Sequence, residues 1–373
     1  MWKFAVSVAG VGVGLFALNR CYFSGTICTL PGRLDGKLAV VTGANSGIGR
    51  ETTAELARRG ACVIMACRNL KRAEEAKADI LARYGEGSRR ALTLNVASSS
   101  IKRPIRTIWP SIRPEDRLVY SNPICSTKCA LLNSNLGQSL VELCGTLALL
   151  IIEELDLASL QSVREFAARI CKPDTRIDLL INNAGIMACP YALTKDGFES
   201  QVGTNHLGHF LLTELLMPAI KRASPNPRII NVSSLAHERV QKCPEPWLIP
   251  ASEYKPWTAY RYSKLANAIH ARQLAKRLRK DGVVTASVHP GVVITDLFKG
   301  PLILRALMHT VLRPFMKSAW EGAQTTMHVV LANDLHSGAY YADCAPKKPN
   351  QMVLDDKLGD LLWSFSEKAV GLA

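Results

Sequence analysis

Short runs of apolar residues alternate along the chain with longer amphipathic stretches from residue 37 onward. The apolar runs predict buried strands, which read KLAVVTG, CVIMAC, IIEELDL, IDLLINNAG, RIINVSS and VVTASVHPG. The intervening stretches have the periodicity of helices, as in GRETTAELARRG, LKRAEEAKADILARYG, SLQSVREFAARI and SKLANAIHARQLAKRLRKDG. This alternation predicts an α/β fold with a doubly wound parallel sheet, in a single domain over residues 36–373.

One interval interrupts the alternation. After the helix LKRAEEAKADILARYG a strand is expected within a few residues, yet the chain runs from about Ser88 to Leu149 before IIEELDL begins. We interpret residues 88–149 as an atypical insertion, either a disordered loop or translated non-coding sequence, with a functional insertion as the alternative. It joins a helix to the N-terminal end of a strand. Because ligands bind at the opposite edge of such sheets, the insertion is compatible with activity.

An apolar and uncharged segment, FAVSVAGVGVGLFAL, lies near the N-terminus between Lys3 and Arg20. As a helix it is about 22 Å long, and its interfacial flanks bring it close to the thickness of a hydrocarbon core, about 30 Å. We expect residues 1–23 to be a retained membrane anchor. The competing interpretation is a cleaved signal peptide, but no persuasive small-x-small cleavage site follows the run, and the thiol count fits poorly with secretion.

The composition of the 373-residue chain limits the classes of partner that it is expected to bind. The formal charge of +15 favours an anionic partner, either phosphates or an anionic membrane face. The chain has no long Lys/Arg tract and no zinc-ligand spacing, so we expect no nucleic-acid partner. The 11 cysteines are scattered and form no C-x-x-C pair, which indicates reduced thiols in a cytosol-like or matrix-like compartment.

A glycine-rich turn, TGANSGIG, follows the first predicted strand and opens the first helix. Gly43, Gly47 and Gly49 let the backbone turn tightly and approach a pyrophosphate, which binds at the helix N-terminus. Glycine also occurs at ordinary strand-to-helix turns. The position of this turn, at the first switch from strand to helix, favours a dinucleotide cofactor.

The end of the second predicted strand bears on the choice of cofactor. NAD-binding sites usually place a carboxylate there to bind the ribose hydroxyls. This chain reads ACRN, with Arg68 and Asn69 at that position. A guanidinium suits a 2′-phosphate through charge-assisted hydrogen bonds, so we expect NADP(H) rather than NAD(H). The alternative is that Arg68 is a solvated surface residue.

The stretch AYRYSKLAN contains two tyrosines ahead of one lysine. Residues four apart share a helical face, so Tyr260 and Lys264 are predicted neighbours, whereas Tyr262 points elsewhere. An adjacent ammonium and an oxidised nicotinamide nearby should lower the phenol pKa from about 10. Tyr260 can then donate a proton to a carbonyl oxygen in reduction, or accept one from an alcohol in oxidation.

The order of the motifs resembles that of a short-chain dehydrogenase/reductase, and more narrowly the membrane-anchored, NADP-using branch of retinol dehydrogenases. The matching stretches are TGANSGIG, ACR, LDLASLQSVREFA, LINNAGIM, DGFESQVGTNHLGHFLLT, RIINVSSLAH, YRYSKLAN, HPGVVITDL and LWSFSEKAVGL. The resemblance excludes residues 88–149. It implies a Rossmann-type domain and an NADP(H)-dependent oxidoreductase that interconverts retinal, or a related lipid aldehyde, with retinol.

The resemblance also implies site residues. Ser234, rather than Ser233, would hydrogen-bond the substrate oxygen, and Tyr260 would be the acid/base. Lys264 would bind the nicotinamide ribose, and Asn205 would hold a water that relays protons. The implied cofactor-binding residues are Gly43, Asn45, Ser46, Gly47, Ile48, Gly49, Arg68, Asn69, Asp156 at the adenine, Leu157, Asn183, Ala184, Gly185, Tyr260, Lys264, Pro290, Gly291 and Thr295.

Two further features of the sequence are a pair of histidines and an apolar segment after the Pro-Gly turn. His206 and His209 have no acidic third ligand in pattern, so we expect them to buttress their helix and expect no metal site. The segment LFKGPLILRALMHTVLRPFMKSAW is either an amphipathic helix covering the core or a hydrophobic lid that forms the substrate pocket and rests on an anionic bilayer.

The anchor and the resemblance together imply a membrane location, in the endoplasmic reticulum or the mitochondrial inner membrane. The expected partners are a lipophilic aldehyde or alcohol and the membrane, and a homo-oligomer is compatible with the sequence. Two alternatives stay open: a steroid or other carbonyl reductase on the same scaffold, and a catalytically silent NADP-binding membrane protein disabled by the insertion.

Overall fold

A computed structural model describes residues 25–83, 149–223, 225–242, 247–293 and 316–373. Its strands are β1 (Leu38–Thr42), β2 (Cys62–Cys67), β3 (Leu150–Glu154), β4 (Leu179–Asn182), β5 (Arg228–Val232), β6 (Val284–His289), β7 (Ala339–Ala342) and β8 (Ala345–Lys347). They form one eight-stranded sheet in the order β3-β2-β1-β4-β5-β6-β7-β8. All neighbours are parallel except β7 and β8. The predicted α/β fold with a parallel sheet is confirmed.

Helices cover both faces of the sheet. They are α1 (Gly47–Arg58), α2 (residues 70–83), α3 (Leu160–Ile170), α4 (residues 200–221), α5 (Pro256–Arg277), α6 (Ala319–Leu331), α7 (Gln351–Leu354) and α8 (Asp356–Val370). Within α4, the turn Gly203–Leu207 is a π-helix between the α-helical segments Ser200–Val202 and Gly208–Lys221. Short 3₁₀ turns occupy Leu235–Arg239 and Ala251–Glu253.

The central strands are apolar along most of their length because they are buried on both faces, and the polar residues in β1 and β4 are the last ones, Thr42 and Asn182. Successive side chains of a strand point to opposite faces. Val40 and Leu180 therefore join a core cluster with α3, α4 and α8. The next residues, Val41 and Ile181, join a second cluster with α1 and α6. This double burial is the physical source of the continuous apolar runs in the sequence.

The chain order places a crevice at one edge of the sheet. After β1 the chain adds β2 and β3 on one side, and it then crosses to β4 on the other side of β1. The chain therefore leaves the carboxyl ends of β1 and β4 in opposite directions, which is the usual position of a ligand site in such sheets. Val41 of β1 pairs with Met65 of β2 and with Ile181 of β4, so the three strand ends lie side by side.

Some elements differ from the sequence prediction. Helix α5 begins at Pro256 rather than Ser263, and a proline in the first helical turn is favourable because that residue's N–H has no helical partner. Helix α6 begins with a capping box formed by Ser318 and Glu321. Strands β7 and β8 were not predicted, because each is too short to show a sustained pattern.

Several predicted features lie outside the described residues. These are the anchor at residues 1–23, nearly all of the insertion at residues 88–149, Thr295, and the segment of residues 297–315. Leu149 leads directly into β3, so the described end of the insertion lies at the amino edge of the sheet, away from the crevice. Among the residues that the structure describes, none of the helices has the length and apolarity needed to cross a bilayer.

Candidate active site

A cleft of about 600 Å³ lies at the carboxyl edge of the sheet. Its walls contain most of the predicted site residues: Gly43, Asn45, Ser46, Gly47, Ile48, Gly49, Arg68, Asn69, Asp156, Leu157, Asn183, Ala184, Gly185, Ser234, Tyr260, Lys264, Pro290 and Gly291. Asn205 lies behind the wall, and Thr295 is not among the described residues. The fold thus brings these residues together, while their individual roles stay predictions.

The glycine turn after β1 packs directly against the segment after β4. Gly43 has a φ of +66°, and a Cβ there would lie 3.0 Å from the Cβ of Ala184. A Cβ on Gly49 would overlap the carbonyl oxygen of Gly43. The Ser46 side chain makes no capping hydrogen bond, so the first amides of α1 stay available for an anion. This cradle fits a dinucleotide diphosphate.

The end of β2 forms one end of the cleft. The Arg68 guanidinium is 66% exposed, and its Nη1 lies 4.0 Å from Oδ1 of Asp156. Oδ1 of Asn69 accepts a hydrogen bond of 2.9 Å from the backbone N–H of Arg72, which caps α2. Arg72 lines the same wall, and the sequence analysis missed it. Its position on the first turn of α2, three residues after Asn69, is the signal that points to it.

Tyr260 and Lys264 meet on one face of α5, as their spacing predicts. The Nζ of Lys264 lies 5.8 Å from the centroid of the Tyr260 ring, and it donates a hydrogen bond of 3.0 Å to the carbonyl of Val232. The two serines after β5 differ. Ser233 Oγ donates to the carbonyl of Lys264 at 2.7 Å, whereas the Ser234 side chain interacts with the Tyr260 phenol. Ser233 therefore donates its hydroxyl hydrogen to the backbone, whereas Ser234 Oγ accepts a hydrogen bond of 3.2 Å from the Ala236 N–H and faces the cleft beside the phenol.

Burial controls the pKa values of this pair. It raises the pKa of the Tyr260 phenol to about 12, and the hydrogen bond with Ser234 acts in the opposite direction. Burial also lowers the pKa of Lys264 to about 8. The expected lowering of the phenol pKa by Lys264 together with an oxidised nicotinamide stays a prediction. In these residues taken alone, burial disfavours both the phenolate and the ammonium.

Asn205 lies in the π-helical turn of α4 and is fully buried. Its Oδ1 accepts a hydrogen bond of 2.8 Å from the N–H of Ile186, and its Nδ2 donates to the Ile186 carbonyl and to Ser263 Oγ, both at 2.9 Å. A Cβ on Gly185 would lie 3.2 Å from Asn205 Oδ1 and 3.5 Å from Lys264 Nζ. Asn205 and Lys264 therefore lie side by side behind Gly185.

The two histidines of α4 are buried and hydrogen-bonded. Nε2 of His206 lies 2.8 Å from Ser366 Oγ of α8. His209 contacts the carbonyl of Asn205 and the hydroxyl of Thr42. Burial lowers the pKa of His206 to about 3 and that of His209 to about 4, so both rings are neutral at physiological pH. The His206–Ser366 contact ties α4 to α8, and the His209–Thr42 contact ties α4 to β1. These are the contacts that the expected buttressing role requires.

The cleft also has wall residues that were not predicted from the sequence: the apolar residues Ile186, Met187, Trp257, Val292 and Val293, together with Arg239 and Arg261. Met316, the first described residue of the predicted lid segment, lines the cleft as well. Trp257 precedes Tyr260 by three positions on α5, and their ring centroids are 6.2 Å apart in an edge-to-face arrangement. Helical spacing alone would have identified Trp257 as a neighbour of Tyr260.

The sequence of this chain matches a known protein family and several named relatives. The short chain dehydrogenase family matches residues 37–124 and 126–301. The chain belongs to the short chain dehydrogenase family. Retinol dehydrogenase 12 of Mus musculus is 36% identical over 355 residues, which cover 95% of this chain and 92% of that protein. Retinol dehydrogenase 14 of Homo sapiens is 37% identical over 378 aligned residues, which cover 99% of this chain and 98% of that protein.

Solved structures agree with this assignment. An uncharacterized protein from Mycobacterium Paratuberculosis is 30% identical with a TM-score of 0.60, covering 92% of this chain and 96% of that one. A short chain dehydrogenase from Burkholderia cenocepacia J2315, solved in complex with NADP, is 20% identical with a TM-score of 0.53, covering 83% and 97% of the two chains, and it shares the fold. As a short chain dehydrogenase, the protein is an oxidoreductase of a family that uses nicotinamide cofactors.

Proposed function

We propose that the protein is an NADP(H)-dependent oxidoreductase that interconverts retinal, or a related lipid aldehyde, with retinol. One observation carries the proposal: the glycine turn, Arg68 and the buried Tyr260–Lys264 pair line a single cleft. The similarity to retinol dehydrogenases 12 and 14 over nearly the whole chain supports the substrate class.

The preference for NADP(H) rests on the end of β2. No carboxylate stands at this position, and Arg68 and Arg72 both line the wall there. A guanidinium forms paired charge-assisted hydrogen bonds with a phosphate, so these side chains suit the 2′-phosphate of NADP(H). The glycine turn and the N-terminus of α1 would hold the diphosphate, and Asp156 would lie at the adenine.

Tyr260 is the proposed proton donor. The Tyr260 phenol would give its proton to the carbonyl oxygen, and a bound NADPH would supply the hydride chemistry, so that aldehyde, NADPH and a proton would become alcohol and NADP⁺. Ser234 would hydrogen-bond the same oxygen. A phenol with a pKa of about 12 keeps its proton at neutral pH. Net reduction would be favoured in cells rich in NADPH, because the catalyst speeds both directions and the ratio of NADPH to NADP⁺ sets the net one.

Lys264 and Asn205 would support this proton transfer. The ammonium of Lys264 would bind the nicotinamide ribose while its Nζ keeps the hydrogen bond to the Val232 carbonyl. Asn205, beside Lys264 and behind Gly185, would hold a water that relays protons from Lys264 to solvent. The proton that Tyr260 gives up would be replaced along this path.

The substrate and the membrane form the second half of the proposal. Met187, Trp257, Val292 and Met316 give the cleft an apolar wall, and Trp257 and Val292 are 49% and 58% exposed. Such a wall suits a long hydrocarbon chain that enters from an apolar phase. We propose that residues 1–23 anchor the protein in the endoplasmic reticulum or the mitochondrial inner membrane, where a water-insoluble aldehyde is concentrated.

Turnover of the purified full-length protein tests the proposal. NADPH and NADH would each be offered with retinal, a series of alkanals and a series of ketosteroids, and Tyr260→Phe would serve as the inactive control. We expect retinal reduction with a preference for NADPH. Turnover of ketosteroids, with no turnover of retinal or alkanals, would instead identify a steroid or other carbonyl reductase. No oxidation of NADPH with any compound would identify a catalytically silent protein.

A further inference from the structure

A buried chain of hydrogen bonds joins the glycine turn to helix α4 through His209. The His209 side chain is 2% exposed. Its Nε2 lies 2.9 Å from Thr42 Oγ1 at the end of β1, and its Nδ1 lies 2.9 Å from the carbonyl oxygen of Asn205. One imidazole therefore bridges the residue before Gly43 and the residue proposed to serve the proton relay.

The hydroxyl of Thr42 determines the protonation of one ring nitrogen. The backbone N–H groups of Asn183 and Ala184 both donate to Thr42 Oγ1, each at 2.9 Å. A hydroxyl has one hydrogen and two acceptor sites, and these two amides fill the acceptor sites. The hydroxyl hydrogen must then point to His209 Nε2, because the alternative acceptor, the Ile181 carbonyl, is 3.5 Å away. Nε2 of His209 is therefore unprotonated.

The carbonyl of Asn205 determines the other nitrogen. A carbonyl oxygen only accepts hydrogen bonds, so Nδ1 of His209 must carry the hydrogen. The ring is therefore held as a single neutral tautomer. Burial lowers the pKa of His209 to about 4, the hydrogen bond to the Asn205 backbone opposes this, and Lys264 adds to the lowering. A second proton, on Nε2, would face a hydroxyl oxygen with no free acceptor site.

We propose that His209, as the neutral Nδ1–H tautomer, is a positioning residue that holds the cofactor-facing segment 183–185 and the backbone of Asn205 in one geometry. The Thr42 hydroxyl transmits its effect to Asn183 and Ala184, since the orientation of the hydroxyl sets the directions of its acceptor sites. This role differs from general helix packing because it reaches the cleft wall from a residue that does not line it. This inference about His209 rests on the proposed function of the cleft as a cofactor site.

His206 provides a matched control. It lies in the π-helical turn of the same helix and is 1% exposed. Its ring interacts with Ser366 of α8 and with Asn267 of α5 rather than with β1 or the Asn205 carbonyl. Replacing either histidine by leucine removes one buried hydrogen-bonding ring. His209→Leu and His206→Leu should therefore both lower stability, but only His209→Leu should disturb the wall of the cleft.

Titration of NADPH fluorescence with the full-length variants measures the difference. His209→Leu leaves two buried polar groups, Thr42 Oγ1 and the Asn205 carbonyl, without this partner, and we expect the Kd for NADPH to rise about tenfold. His206→Leu should change the Kd by less than about twofold. Equal Kd values for the two variants would overturn the proposal.

A second pair of variants covers the case in which His209→Leu does not fold. Thr42→Val removes the hydroxyl and should raise the Kd for NADPH. Thr42→Ser keeps the hydroxyl and should leave this Kd close to that of the wild-type protein. In a background of Thr42→Val, His209→Gln should add little to the Kd, because both changes break one chain. Full additivity of the two changes would overturn the proposal.

The ¹⁵N chemical shifts of the His209 ring test the tautomer without cofactor or substrate. We expect a protonated Nδ1 and an unprotonated Nε2 from about pH 5 to pH 8. An Nε2–H tautomer, or protonation of the ring within this range, would overturn the proposal. If the wild-type protein fails to bind NADP(H), the proposed function fails, while this spectrum still decides the tautomer of His209.

Discussion

Lys264 should lower the stability of the folded protein at neutral pH. Its side chain is buried at the base of the cleft, with Nζ bonded to the carbonyl of Val232. Burial lowers its pKa from the ordinary value of 10.5 to about 8. In the unfolded chain the amine regains its ordinary pKa, so the unfolded state binds more protons between these two values. Stability should therefore rise as the pH increases from about 8 to about 10.5.

The size of this effect follows from the difference between the two pKa values. At about 1.4 kcal/mol per pH unit, it amounts to about 3 kcal/mol of unfolding free energy. Other buried groups titrate in the same range with the opposite sign: burial raises the pKa of Cys67 to about 11 and that of Tyr260 to about 12. A comparison with Lys264→Met cancels the contribution of Cys67, because both proteins contain this thiol.

Urea unfolding of the wild-type protein and Lys264→Met, from about pH 7 to about pH 10.5, measures the effect. The free energy of unfolding of the variant minus that of the wild type should fall by about 3 kcal/mol over this range. The exposed Lys280 provides the control, since Lys280→Met should leave a difference that does not vary with pH. A constant difference for Lys264→Met would refute the inference that its ammonium is desolvated in the folded state.

Three further predictions concern chemistry, cofactor and location. Tyr260→Phe should abolish turnover while the Kd for NADPH stays within about twofold, because only the transferable proton is lost. Tyr262 lies outside the cleft wall, so Tyr262→Phe should leave turnover nearly unchanged. An equal loss of turnover in the two variants would contradict the assignment of Tyr260 as the acid/base. Arg68→Asp should shift the ratio of kcat/KM values from NADPH toward NADH by about 2 kcal/mol, a shift limited because solvent screens a guanidinium that is 66% exposed. Arg68→Lys should shift this ratio less. An unchanged ratio for Arg68→Asp would show that Arg68 is a solvated surface residue. The full-length protein should stay in the membrane fraction after alkaline carbonate washing, and deletion of residues 1–23 should release it. Release of the full-length protein would contradict the anchor, and pelleting of the shortened one would reveal a second membrane contact.

The central strands and the order of the motifs were predictable because their signals are local. The run CVIMAC coincides with β2, since a strand buried on both faces must be apolar at every position. The proximity of Tyr260 and Lys264 follows from helical geometry alone. The glycine turn was recognisable because a tight turn with a positive φ at Gly43 and close packing at Gly49 excludes larger side chains.

The sequence by itself therefore determined the fold class, the family and about half of the residues that surround the cleft. Only the tertiary structure decided the electrostatics and the long-range bonds. Burial raises the pKa of Tyr260, and burial depends on every element packed around the residue. The bond between Thr42 and His209 joins residues 167 positions apart. No periodic pattern encodes such a contact, because it arises only when the sheet and helix α4 have packed together.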